Sequence, residues 1–133
     1  MGYRSEVVLA IAPEAAPAFM AMCAKYPEVN NLCFRDSDYK VSGYERDGDW
    51  FFRWDCLKWY DSFPEIAEIN NFMQAMIDDD LSQYGEKEQP KNDSSYTHWD
   101  LYFKFVRLGE DTDDCEMFGC GFDHVYIERG ISY

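Results

Sequence analysis

Carboxylates dominate the side chains of this sequence that can take part in chemistry. The chain of 133 residues has 26 Asp and Glu residues, 12 Lys and Arg residues, and two histidines, His98 and His124. Two histidines are too few to assemble a nucleophile, a general base and a group that orients the base. His124 follows Asp123, but neighbours in a strand point to opposite faces, so this pair does not predict a metal site. We therefore expect no catalytic residues and no enzymatic activity.

The densest acidic segment is residues 110–116. It contains five carboxylates and no base: Glu110, Asp111, Asp113, Asp114 and Glu116. Three interpretations are open, namely a solvated turn between strands, an acidic patch for a basic partner, and a divalent-ion site using Asp111, Asp113 and Glu116. The glycine is misplaced for an EF-hand loop and the distal glutamate is missing, so we expect no bound metal.

A second acidic segment, formed by Asp78, Asp79 and Asp80, lies near the end of a predicted helix, where negative charge opposes the helix dipole. The formal net charge of the whole chain is −14. This excess disfavours direct binding to DNA or RNA, because the basic residues do not cluster along the sequence. It favours a basic protein partner, and we expect both acidic segments to contribute to the surface that binds it.

The cysteines and the hydropathy pattern indicate an intracellular setting. The five cysteines are odd in number and too dispersed for a disulfide scaffold or a zinc site, so free thiols and no cofactor are expected: Cys23, Cys33, Cys56, Cys115 and Cys120. No apolar run approaches the roughly 18 residues of a membrane-spanning helix. Residues 1–11 lack the pattern of a signal peptide. We therefore expect a soluble cytoplasmic protein without membrane contact.

Hydrophobic periodicity predicts one α+β domain over residues 1–133. The predicted elements are a strand at 3–11, a helix from 13 to about 26, a hairpin of Tyr39–Tyr44 and Trp50–Trp59, a helix at 63–83, a strand from Trp99 to Gly109 and a strand at 118–128. Segment 28–38 is either a short strand or a buried turn, and residues 85–95 form an exposed loop. The order β-α-β-β-α-β-β indicates a mainly antiparallel sheet with two helices on one face, partly ferredoxin-like.

Short-range signals predict how some of these elements begin and end. The pair Asp47-Gly48 favours a hairpin turn, and Ser62 with Glu65 has the spacing of a capping box at a helix start. In the second arm of the hairpin, the even-numbered residues, Trp50 to Cys56, are expected to face the core. Gly119 and Gly121 mark a bend or bulge in the last strand.

The other face of the sheet has no helix assigned to cover it. Alternation places charged residues and large rings on this outer face: Arg4, Glu6, Phe51, Arg53, Asp55, Asp100, Tyr102 and Lys104. Exposed aromatic rings beside arginine are typical of interface centres, so Phe51, Arg53 and Tyr102 are candidate partner-binding residues. Two interpretations remain open: a homodimer through this face, and cross-strand pairs on a solvated sheet.

Three motifs carry a resemblance to a group of phage proteins. They are Met1–Val7 (MGYRSEV), Leu57–Glu65 (LKWYDSFPE) and Phe105–Asp111 (FVRLGED). Together they resemble motifs of small uncharacterised proteins of tailed bacteriophages. The resemblance brings no reaction, cofactor or catalytic residue with it. It implies a phage context, in which small acidic proteins often occupy host or defence proteins that normally hold nucleic acid.

The sequence therefore predicts a small acidic protein that binds and inhibits or modulates a basic host or defence protein. Displayed carboxylates can compete with the phosphates of DNA for a basic groove, which would make the acidic surface a nucleic-acid mimic. One alternative is a small-molecule or divalent-metal site using Asp111, Asp113, Glu116 and His124. The other is a homo-oligomeric accessory protein without enzymatic activity. The mimicry hypothesis requires the acidic segments to lie together on one surface.

Overall fold

A computed structural model describes residues 4–84, 99–110, 114–122, 125–127 and 131–132 of the chain. The predicted loop at 85–95 lies outside these residues, as do Asp111, Asp113 and both histidines. Within the described part, no helix is both long enough and apolar enough to cross a bilayer.

The protein has an α+β fold with an antiparallel sheet, as predicted. The elements are β1 (Ser5–Ile11), α1 (Ala16–Lys25), α2 (Pro27–Phe34), β2 (Tyr39–Ser42), β3 (Trp50–Leu57), α3 (Pro64–Ile77), β4 (Phe103–Gly109), β5 (Cys115–Phe118), β6 (Tyr126–Ile127) and β7 (Ile131–Ser132). Five strands form one sheet in the order β2-β3-β1-β4-β5, and β6 pairs with β7. The succession from β1 to β4 follows the predicted pattern, with α2 as an additional helix.

Aromatic side chains fill the space between the helices and the sheet. Leu9 of β1 pairs with Phe52 on one side and Phe105 on the other, and cross-strand partners share a face of the sheet. The ring of Phe19 from α1 lies 5.5 Å from that of Phe52 and 6.0 Å from that of Phe72 in α3. All five side chains are buried, and burial of one such residue stabilises the fold by about 1.5–3 kcal/mol.

Segment 28–38 contains a helix, which is neither of the two forms that the sequence left open. Tyr26 is extended, with φ −122° and ψ 93°, and Pro27 then occupies the first turn of α2. Proline suits this position because its fixed φ is helical and its missing N–H would have no partner there. Val29, Leu32 and Cys33 are buried at helical spacing.

Both ends of α3 differ from the prediction. The residue at the N-cap is Phe63, and no side chain caps the helix, so the predicted capping box of Ser62 and Glu65 is wrong. The helix ends at Ile77 because Asp79 adopts a left-handed conformation with φ 63°. The amide of Asp79 donates to Met76 O and that of Asp80 to Ala75 O, which are the two bonds of a Schellman motif.

The later strands also begin and end at unexpected residues. Residues 99–102 form a turn of 3₁₀-helix, so β4 begins at Phe103, and Leu101 is exposed. β5 begins at Cys115, inside the acidic segment. The bend predicted from the glycines is confirmed: Gly119 has φ 90°, and a Cβ there would lie 2.3 Å from Phe103 O. The chain therefore leaves the sheet after Phe118.

The β2–β3 hairpin is confirmed, and a buried carboxylate organises its connection. Asp49 is completely buried. Its two carboxylate oxygens accept four backbone N–H groups at 2.7–3.0 Å, from Gly43, Tyr44, Glu45 and Arg46. The carboxylate therefore provides partners for a run of amides that no strand partner satisfies. The sequence indicated the turn through Asp47-Gly48 but gave no signal for this role of Asp49.

We expect Asp49→Asn to destabilise the protein by at least about 2 kcal/mol, because hydrogen bonds to a charged group contribute about 1.5–3 kcal/mol each. The amide oxygen of asparagine can retain two of the bonds, but its NH₂ group would face N–H donors. Urea unfolding measures the change. Asp47→Asn removes an exposed carboxylate of the same connection and should change stability by less than about 0.5 kcal/mol. Equal effects of the two substitutions would contradict the assignment.

Candidate functional site

A polar cleft lies beside the C-terminal half of α3, and we call it the α3 cleft. Its volume is about 450 Å³, within the range of small-molecule sites. Three kinds of polar side chain line it: the carboxylates Glu68, Asp78 and Asp80, the carboxamides Asn71, Gln74 and Gln83, and the phenols Tyr26 and Tyr84. Two of the predicted partner-binding residues, Asp78 and Asp80, therefore belong to a shaped site.

The way α3 folds and ends positions these groups. Glu68, Asn71 and Asp78 follow one another at helical spacing on one face of α3, beside the buried face that contains Phe72. Asp79 then turns the chain back, so that the short Ser82–Tyr84 turn returns towards the helix. The ring of Tyr84 packs edge-on against Phe72 at 5.0 Å. The sequence predicted a helix to residue 83. It therefore predicted neither the return of the chain nor the place of Tyr84 in the cleft.

The electrostatics of the α3 cleft are one-sided. In the part of the chain that the structure describes, no lysine or arginine lines the cleft. The side chain and backbone N–H of Ser82 donate to Asp80 and lower the pKa of that carboxyl. Burial, together with the charges of Glu68 and of ionised Tyr26, raises the pKa of Tyr84 to about 12. At neutral pH the cleft thus holds the ionised carboxylate of Asp80 and the neutral phenol of Tyr84.

The residues Asp78–Asp80 also stabilise the end of α3 and the segments that follow it. Asp79 is the left-handed residue that ends α3, and its Oδ1 accepts the backbone N–H of Trp99 at 2.9 Å. Asp80 accepts the N–H of Ser82, and Asp78 accepts a bond from Gln74 within the last turn of α3. These bonds account for acidic residues at a helix end where the dipole disfavours them.

In the acidic segment at residues 110–116, the described carboxylates are largely engaged within the protein. Arg107 is 8% exposed, and its guanidinium binds Asp114, Glu116 and the hydroxyl of Ser5. The hydrogen bonds to Asp114 and Glu116 raise the pKa of Arg107. Glu110 accepts the backbone N–H of Arg4 at 3.1 Å. Two carboxylates expected to face a partner are therefore neutralised within the protein.

The two acidic segments lie at opposite ends of the sheet. Asp79 contacts Trp99, just before β4 begins, whereas Glu110 follows the last residue of β4. The seven residues of β4 span about 20 Å at about 3.3 Å per residue. The 14 residues of α3 span about 21 Å, a similar length. The expectation that both segments form one continuous surface is therefore wrong.

The outer face of the sheet is covered, contrary to expectation. Phe51 is completely buried, and its ring lies 4.4 Å from that of Tyr44. Tyr102 and Lys104 are also buried. Arg53 is half-buried, with Nε 2.9 Å from Asp55 Oδ1. In place of the single last strand predicted at 118–128, the chain forms the two short strands β6 and β7, and both contact β4. The exposed aromatic face on which the homodimer expectation depended is absent among these residues.

The structure also bears on the cysteines and on metal binding. Cys23 and Cys33 are buried, and contact with Cys23 together with burial raises the pKa of Cys33. Cys56 is exposed, so its predicted place in the core is wrong. Among the described residues, no group of three His, Cys, Asp or Glu side chains could hold a metal ion. Of the residues suggested for such a site, Glu116 binds Arg107 and the others lie outside the description.

Comparisons with protein-family models, with curated proteins and with solved structures found no match. The resemblance to phage proteins therefore stays a prediction.

Replacement of Glu68 should shift the titration of Tyr84. We expect Glu68→Gln to move the pKa of Tyr84 from about 12 towards 10, because one of the negative charges that oppose ionisation is removed. NMR of ¹³Cζ-labelled tyrosine measures the pKa of Tyr84. Asp47→Asn is the control and should leave that pKa unchanged. Since the folded state holds this proton more tightly, the free energy of unfolding should fall as pH rises from 10 to 12. An unchanged titration in Glu68→Gln would contradict the assigned cause.

Replacement of Arg107 should weaken the fold. Lysine cannot reproduce the forked bonds to Asp114 and Glu116, so Arg107→Lys should cost about 1–2 kcal/mol of unfolding free energy, measured in urea. Arg35→Lys is the control, because Arg35 forms an exposed pair with Asp36 and such pairs contribute about 0–1 kcal/mol. The same loss in both variants would argue against a structural role for the Arg107 cluster.

Proposed function

We propose that this protein is a binding protein that engages a basic surface of a partner protein, and that the end of α3 is the surface it presents. One observation carries the proposal. Asp78 and Asp80 are exposed beside Glu68, and none of the described residues that line this surface is basic. At the other acidic segment, Asp114 and Glu116 already bind Arg107. Among the described residues, the end of α3 therefore presents carboxylates that no basic side chain neutralises.

The nature of the partner follows from the chemistry of the surface and from the phage resemblance. Carboxylates pair with the lysine and arginine side chains of a basic groove, and this pairing releases counterions. We propose that the partner is a host or defence protein that handles nucleic acid in the host cytoplasm. Binding there would inhibit or modulate it. Because the two acidic segments are separated by the length of the sheet, the nucleic-acid mimicry expected from the sequence is abandoned, and the end of α3 alone is the proposed surface.

The test is capture of partners from host-cell extract on the immobilised protein at about 50 mM and about 200 mM salt. Counterion release predicts that capture of a nucleic-acid-handling partner weakens steeply between these concentrations. The variant Asp78→Asn/Asp80→Asn should lose most of the captured partner. Asn can still accept a bond from Ser82, so the turn should persist.

The matched control is Glu28→Gln/Asp47→Asn, which removes two exposed carboxylates away from the end of α3. It should retain capture at the level of the unmodified protein. Capture that does not depend on salt, or that the two double variants reduce equally, would count against the proposal. Failure to capture any nucleic-acid-handling protein would also count against it.

A further inference from the structure

We propose that strand β5 binds an extended, basic segment of a protein partner, which adds a strand to the sheet at this edge. The inference concerns a surface other than the end of α3, so it does not depend on the function proposed above. β5 is the last strand of the sheet, and among the described residues it pairs with β4 alone. Three features of β5 support the inference: the direction of its backbone groups, its exposed side chains and the charge beside it.

The hydrogen-bonding pattern turns the backbone of two residues in β5 away from the sheet. The amide of Gly109 donates to Asp114 O at 2.7 Å, and these two residues continue the register of the β4–β5 pair. In an antiparallel pair, residues that exchange hydrogen bonds alternate with residues that do not. The N–H and C=O groups of Cys115 and Met117 therefore point away from β4. No strand of the described part of the chain lies on that side.

The side chains of β5 leave this edge open. Met117 and Phe118 are 44% and 37% exposed. Free strand edges commonly contain lysine, proline or a bulge, which hinder pairing with another chain. The strand at the other edge of the sheet, β2, contains the exposed Lys40. β5 contains neither lysine nor proline, and its one charged side chain, Glu116, binds Arg107 of β4. β5 is therefore the less protected edge.

The spacing of the outward backbone groups fits another strand. Cys115 and Met117 are two residues apart, so their N–H and C=O groups repeat after about 7 Å along the edge. An added strand presents its own groups at the same interval, and main-chain hydrogen bonds of this kind hold extended peptides on exposed sheet edges. Met117 and Phe118 lie on opposite faces of the sheet, because successive side chains in a strand alternate. Apolar side chains of the added strand can therefore pack on both faces.

The charge beside the edge favours a basic segment. Asp114 and Glu116 share the single guanidinium of Arg107, and Glu110 accepts a backbone amide. These four side chains therefore have a net negative charge. A lysine or arginine of the added strand opposite Glu116 would stabilise the pairing, because opposite charges that face each other across strands attract.

A second copy of this chain fits the edge less well than a basic segment. Both outward residues of each copy can pair only when Cys115 of one copy lies opposite Met117 of the other. This register places the two Glu116 side chains opposite each other, and like charges in that position are destabilising. Each copy also has a net charge of −14, so the copies repel one another. The occupant that the edge fits is therefore a basic strand of a different protein.

The experiment is an NMR titration of the ¹⁵N-labelled protein with an acetylated and amidated hexapeptide of alternating lysine and valine. Saturable shifts should centre on the amides of residues 115–118. The matched hexapeptide of alternating glutamate and valine should bind about tenfold more weakly, because its charge has the wrong sign. Shifts centred elsewhere, no saturable binding, or equal binding of the two peptides would overturn the proposal.

Substitutions at Met117 separate the role of the backbone from that of the side chain. Proline is tolerated at a strand edge where the N–H faces solvent, so Met117→Pro should fold and lack one outward donor. It should bind the lysine peptide about fivefold more weakly. Met117→Ala keeps the donor and should lose less affinity. Met20→Ala, at a methionine of α1 that is 41% exposed, is the control and should bind as the unmodified protein does.

Thermal unfolding shows whether each variant is folded. If Met117→Pro does not fold, the comparison of the two peptides on the unmodified protein still decides the question. Equal affinity of folded Met117→Pro and the unmodified protein would overturn the proposal. Light scattering of the protein alone should show a monomer at the concentration of the titration. Self-association that Met117→Pro abolishes would give this edge to a second copy and overturn the basic segment as its occupant.

Discussion

Burial of the central strand on both faces is the constraint on which the rest of the structure depends. Every residue from Val7 to Ile11 in β1 is at most 2% exposed. The side that contains Leu9 is covered by the helices, and the side that contains Val8 must be covered as well. Because β3 and β4 pair with β1 in fixed registers, this requirement also decides which residues of those strands are buried. Phe51, opposite Ala10, is buried for this reason although its polar neighbours suggested an exposed face.

The same arrangement fixes where the acidic residues lie. α3 and β4 each run the length of the sheet, so the acidic segment that ends α3 and the one that follows β4 are held at opposite ends. The residue that ends α3 is decisive for the candidate site. With Asp79 in the left-handed conformation, the chain returns along the helix and brings Tyr84 against Phe72. A helix that continued through residue 83 would have no such return, and the cleft would lose one wall.

Much of the fold follows from the sequence, and the differences have identifiable physical reasons. Alternation in β1 and β3 and helical spacing in α3 are properties of single elements, so they could be predicted without tertiary contacts. α2 was missed because eight residues carry too little periodicity to separate a helix from a turn. The end of α3 was missed because glycine is the usual left-handed residue, and Asp79 takes its place. Nothing in the sequence distinguished Asp49 from the other acids, because its role depends on the path of the backbone around it.

The net charge of this protein therefore overstates the charge that is available to a partner. Asp49 is saturated by backbone amides, Asp114 and Glu116 by Arg107, and Glu14 by Arg46. These carboxylates hold the chain together, and an acidic segment read from the sequence does not separate them from those that face solvent. The α3 cleft differs because, among the described residues, no basic side chain lines it beside its carboxylates. An acidic cluster is suited to recognition only where the fold leaves it both shaped and uncompensated, and within the described residues the end of α3 meets both conditions.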